Sequence, residues 1–148
     1  MEVYRLHRAA HLTADYTGAF RAGGRWNAIG TPMLYAAEHL SLACIEVLVH
    51  VSKTQLPVDY VWSKAELPEK PRVLVIRLPD SATACQEIGS DWISNVQELA
   101  VRVPSVIIPD EFNVLLNPRH NSYQGVHWTV PRQFRFDSRL FFAEPEVL

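Results

Sequence analysis

Two short stretches of this chain hold the residue types best suited to chemistry. The first is GGRWN (23–27), and the second is the apolar run LSLACIEVLVHV (40–51), which carries one carboxylate, Glu46. Gly23 and Gly24 permit backbone conformations and close approaches that a β-carbon obstructs. Arg25 behind them can therefore enter a pocket with a planar fork of donors that matches phosphate or carboxylate. Trp26 adds a flat apolar surface, and Asn27 an amide able to brace a turn. The ordinary alternative is a hairpin-like turn with a solvated arginine, since GGR alone is common turn chemistry. Neither GxxxxGK[ST] nor a GxGxxG after a strand occurs, so the familiar phosphate-binding loops are absent.

Glu46 has Leu42, Ala43, Val49 and His50 as its neighbours at helical spacing. A helix apolar nearly all round is expected to be buried. A carboxylate on it must open into a cleft, meet a cation or keep its proton; the other reading puts Glu46 on the one exposed edge. Further on, VPSVIIPDEFNVLLNPRH places Ser105 at a proline-broken strand, with Asn117 and His120 flanking the next proline. Turn and helix-end hydrogen bonds are the usual work of such residues. A serine hydrolase is possible in principle but a weaker reading, because there is no GxSxG elbow and no obvious acid for His120.

At 148 residues the chain is expected to form one domain, 1–148, able to bury about two-thirds of its unfolded surface. A charged fraction of 20% against 48% apolar is globular rather than disordered. The net charge of −2 gives no pull toward nucleic acid or an anionic membrane. Cys44 and Cys85 form no pattern, no leader-like segment opens the chain, and no run is long enough to span a bilayer. These features predict a reduced, cytoplasmic protein without a membrane partner. The six histidines are scattered and no CxxC or HxxxH pair is present, so no metal is expected.

The elements that must position these residues follow from periodicity and punctuation. Strands are predicted at 2–7, 32–37, 59–67, 72–78, 99–109 with a break at Pro104, 113–117, and within 133–142. Residues 8–31 read as a long functional loop, 40–51 as a helix with Ser41 as its N-cap, 89–95 as a short helix, and 118–126 as a short helix or turn. Many short strands around one convincing buried helix argue for an α+β fold, not a doubly wound sheet.

The ordered set GGRWNAIGTPMLYAAEHLSLACIEVLVH, VPSVIIPDEFNVLLNPRH and FRFDSRLFF resembles the RES-domain toxin family, named for an arginine, a glutamate and a serine. The chain departs from the family's pattern at NSYQG, after NPRH. The resemblance implies a single β-rich domain similar to the ADP-ribosyltransferase fold, with a cleft for NAD as substrate. It implies a bacterial toxin of a type II toxin–antitoxin system, silenced by an antitoxin with an Xre-like helix-turn-helix domain. The family residues map to Arg25, Glu46 and Ser105, and an accompanying tyrosine to Tyr35.

On this reading Glu46 stabilises the sugar cation formed as the nicotinamide–ribose bond breaks. Arg25 holds the pyrophosphate, Tyr35 stacks on nicotinamide or ribose, and Ser105 bonds the ribose. Arg5, Trp26, Asn27 and His120 are further contacts. Arg25 and Glu46 could instead pair with each other in the empty protein. Water, inorganic phosphate or a protein side chain could each be the acceptor, and Glu46 is compatible with all three. Two rival functions remain: an RNA-directed toxin using Arg119, His120, His127, Arg132 and Arg135, and a non-catalytic module that only docks an antitoxin.

Overall fold

A computed structural model describes residues 1–142 of the chain, so residues 143–148 of the expected domain lie outside the described part. Six strands, β1 (Glu2–Arg8), β2 (Leu34–Ala37), β3 (Tyr60–Glu66), β4 (Ala100–Pro104), β5 (Phe112–Leu116) and β6 (Arg132–Gln133), form one sheet in the order β4-β5-β2-β1-β3-β6. Every neighbouring pair is antiparallel. Among the described residues three α-helices accompany it: α1 (Thr17–Ala22), α2 (Leu40–Leu48) and α3 (Ala82–Asn95). The α+β class expected from the sequence is the class observed.

Period-two alternation sorts the strand residues to two sides. Val3, Leu34, Ala36, Val114 and Leu116 join Tyr123 in one apolar cluster. The alternate residues Val101, Val103 and Leu115 pack with Cys85, Trp92 and Ile93 of α3. Leu6 and Ala37 meet Leu42 and Ala43 of α2, together with Phe136. The ladder is irregular between β1 and β2. β1 runs in register with β3 over its whole length, but pairs with β2 only at Tyr4 and Ala37. Beyond that pair the Tyr35 carbonyl is served by a side chain, the Arg5 guanidinium, at 2.7 Å.

Several local expectations need correction. Residues 72–78 form no strand: a single parallel bridge joins Val73 to Arg102, while Ile76 is exposed and Leu74, Val75 and Leu78 lean on the cluster beneath α3. Arg102 pins the segment, its Nε donating to the Pro71 carbonyl. The expected short helix 89–95 begins earlier, at Ala82, behind Ser81, whose hydroxyl accepts the Ala84 N–H and so caps the first turn. The loop 8–31 contains α1, which buries no residue and so left no apolar signal.

Ser41 is not the cap of α2; the helix starts at Leu40 behind His39, in extended conformation and without a side-chain cap bond. Nor is α2 buried all round. Only Leu42 and Ala43 are buried, and one flank of the helix, with Ala43, Glu46 and Val47, lines a cleft. In 133–142 the strand ends at Gln133, and Phe134, Phe136 and Phe141 make an edge-to-face aromatic cluster instead.

Candidate active site

The glycine loop is held by its own amides and by Tyr35. The Gly24 N–H donates to the Asn27 carbonyl, closing a turn with Arg25 at its tip. Asn27 is fully buried, its Nδ2 donating to the carbonyls of Ala19 and Thr31 at 2.9 Å each. The Tyr35 hydroxyl donates to Asn27 Oδ1 at 2.7 Å and accepts the Trp26 N–H at 3.0 Å. A β-carbon on Gly24 would lie 2.7 Å from that hydroxyl, and Gly23 adopts φ +73°, so both glycines are needed where they stand. From the far side, Gln86 of α3 donates to the Gly24 carbonyl.

Trp26 is 2% exposed and packs with Met33, Cys85 and Trp92. It anchors the loop to α3, and leaves little ring surface for a ligand. Burial also raises the Tyr35 hydroxyl well above its usual pKa, so it stays a phenol that donates.

This loop forms one wall of a cleft of about 880 Å³, within the usual size range for a small-molecule site. Its lining includes Arg5, Arg25, Trp26, Tyr35 and Glu46, drawn from β1, the glycine loop, β2 and α2. Among these described lining residues, the formally charged side chains at neutral pH are Arg5, Arg25 and Glu46. Arg5 sits where β1 and β2 part. Burial brings its pKa down to about 10, which leaves it cationic near neutrality, and its buried Nε has no partner among the described residues. Arg25 is exposed at the loop tip, and no ion pair joins it to Glu46 among the described residues.

Glu46 is half-buried. Its Oε1 accepts from Ser105 Oγ at 2.8 Å and from Asn113 Nδ2 at 2.7 Å. Ser105 is wholly buried just past the end of β4, and its oxygen accepts the Ile107 and Ile108 N–H groups at 3.1 Å each. The serine hydrogen is thus committed to Glu46, and Ser105 does not line the cleft. In this arrangement it reaches a ribose only through the carboxylate.

Asn113, unlike the other groups here, was not singled out by sequence. The available signal was an amide on β5 two residues from Leu115, at a position where the strand pattern calls for hydrocarbon. His120 is not brought to the cleft: its Nδ1 accepts the Ser122 N–H within the turn after β5. Asn27 lies behind the cleft wall, bracing it.

The RES domain family matches residues 2–137. The chain belongs to this family. Among its curated relatives, a protein named Toxin Res from Photorhabdus laumondii is 38% identical, over 97% of this chain and 99% of its own length. A protein named Prs ADP-ribosylating toxin, from a Sphingobium species, is 31% identical over 92% of this chain and 90% of its own. In structure, this RES domain is similar to a chain in the M. tuberculosis MbcT–MbcA toxin–antitoxin complex, with a TM-score of 0.68 over 90% of this chain and 84% of that one. The identity there is 17%, so the likeness is one of fold. The RES match extends from β1 to the turn after β6, and so contains every residue that lines the cleft.

Proposed function

We propose that this RES domain is the toxin of a toxin–antitoxin pair and acts by breaking the nicotinamide–ribose bond of NAD. The observation that carries the reading is Glu46: a carboxylate presented to a cleft of nucleotide size, restrained on one oxygen, with two arginines in the same lining. Loss of nicotinamide builds positive charge on the ribose, as in glycoside cleavage. A fixed carboxylate beside that sugar stabilises the charge as it develops, and does so more strongly in a partly water-excluded cleft than in bulk solvent.

Nicotinamide leaves as a neutral molecule from a cationic ring, so no general acid has to protonate it. Arg5 and Arg25 supply two positive charges for the two charges of a pyrophosphate. Tyr35 offers its ring to nicotinamide or ribose while its hydroxyl remains occupied by the glycine loop. Water or inorganic phosphate would then capture the sugar. The curated relatives' toxin names, and the toxin–antitoxin complex that shares the fold, support an antitoxin partner; an Xre-like helix-turn-helix protein is the partner we propose.

A second reading has its own support in the Sphingobium relative, whose name is that of an ADP-ribosylating toxin. The same cleavage with a protein side chain as acceptor would transfer ADP-ribose to a target. An RNA-directed function gains nothing from the cleft, since Arg119, His127, Arg132 and Arg135 do not line it. Glu46→Gln keeps the shape and removes the charge. It is expected to lower NAD turnover about 100-fold or more and to abolish toxicity in cells, while the antitoxin still co-purifies. A toxic Glu46→Gln variant would refute the role given to the carboxylate.

A further inference from the structure

We infer that Asn113 is a positioning residue of this cleft, which together with Ser105 commits Glu46 Oε1 to the protein and so presents Oε2 to the substrate. The inference rests on the NAD-cleaving reading. Both donors converge on a single oxygen, at 2.7 Å from Asn113 and 2.8 Å from Ser105, and Oε2 receives no hydrogen bond among the described residues. An ionised carboxylate only accepts, so the amide must turn its nitrogen toward it.

The terminal torsion of a glutamate is soft and broad. Two donors on one oxygen, from two different strand ends, fix the plane of the carboxylate where packing alone could not. Neither donor is free to leave. The serine oxygen is held by two backbone N–H groups, and the asparagine is carried by the sheet.

The placement of Asn113 supports the same conclusion. It stands in register with Ala37 on β2 and Val103 on β4, both buried, and two residues from the fully buried Leu115. Asparagine is depleted in strands, and its amide is costly to cover without a partner. Among described side chains its partner is Glu46. A preset carboxylate needs no reorganisation when charge appears on the sugar, and such a contribution acts on the chemical step more than on binding.

The test compares Asn113→Ala and Asn113→Asp in the full chain, with steady-state NAD turnover and thermal melting as readouts. Aspartate keeps the size of asparagine and replaces the donor by an acceptor that repels Glu46. Both variants are expected to lose roughly tenfold or more in kcat, with KM for NAD within about threefold of the wild type. Aspartate should be at least as impaired as alanine. A residue that only filled space would give the opposite order, with aspartate near the wild type and alanine worse. If alanine fails to fold, the same-sized aspartate variant decides alone. Turnover by the wild type with an unimpaired Asn113→Asp variant overturns the inference by itself. A wild-type chain that leaves NAD intact overturns the functional reading, and this inference with it.

Discussion

At the scale of single residues, the two arginines of the cleft differ in kind. Arg5 is buried where β1 and β2 part, tied to the Tyr35 carbonyl, and is part of the scaffold as much as of the site. Arg25 is exposed at the tip of a braced turn with no ion-pair partner among the described residues, so its fork is free for a ligand. Arg25→Lys keeps the charge and loses the bidentate geometry. NAD affinity should therefore fall by about tenfold while the melting temperature stays within a degree or two, read by calorimetric titration and thermal melting. Equal losses in both would mean that Arg25 has a structural partner after all.

Glu46 stood out in the sequence because a carboxylate among hydrocarbons violates local expectation, whereas Arg25 was marked by the family resemblance, since glycines before an arginine are common turn chemistry. Asn113 was passed over, since an amide opening the apolar run NVLLN is a weak signal, and its meaning appears only once β5 is known to be in register with β2 and β4. The failure of His120 to reach the cleft has the same origin, because a turn's direction is set by the sheet it leaves.

At the scale of elements, the glycine loop and α3 form one unit. A β-carbon on Gly89 would sit 1.8 Å from the Trp26 carbonyl oxygen, with backbone on the other side of the contact. Gly89→Ala must push α3 away from the loop, and is expected to destabilise the fold by about 2 kcal/mol or more, as overpacked sites do. The loss should appear in urea unfolding, accompanied by weaker NAD binding as the turn that carries Arg25 shifts. A variant as stable as the wild type would contradict the tight packing of loop and helix.

This coupling explains why α3 was half-missed in the sequence. Its first turns, ATACQEIG, carry few large apolar residues: Ala82 and Thr83 are exposed, and Gly89 meets the Trp26 carbonyl, a backbone contact that hydrophobic periodicity cannot register. The strands were read well wherever alternation was set by the two faces of the sheet. RVLVIRL was misread because an apolar segment pinned by Arg102 along the sheet edge resembles a strand in composition alone.

At the scale of the whole molecule, an almost neutral chain concentrates two arginines and one carboxylate in a single cleft beside a parting in its sheet. Residues of β1 and β2 line the cleft where the two strands part, α2 brings the carboxylate, and the ends of β4 and β5 hold it in place. No helix among the described residues is long and apolar enough to cross a membrane. Nor does any group of three or more His, Cys, Asp or Glu among them form a metal cage.

The central claim is that this arrangement cleaves NAD, and one measurement addresses it most directly. The purified chain, freed of antitoxin, is incubated with NAD with and without inorganic phosphate, and products are followed by chromatography and mass. Release of nicotinamide is predicted, with ADP-ribose as co-product, or its phosphorylated form when phosphate is the acceptor. Intact NAD after prolonged incubation with a folded sample would contradict the claim.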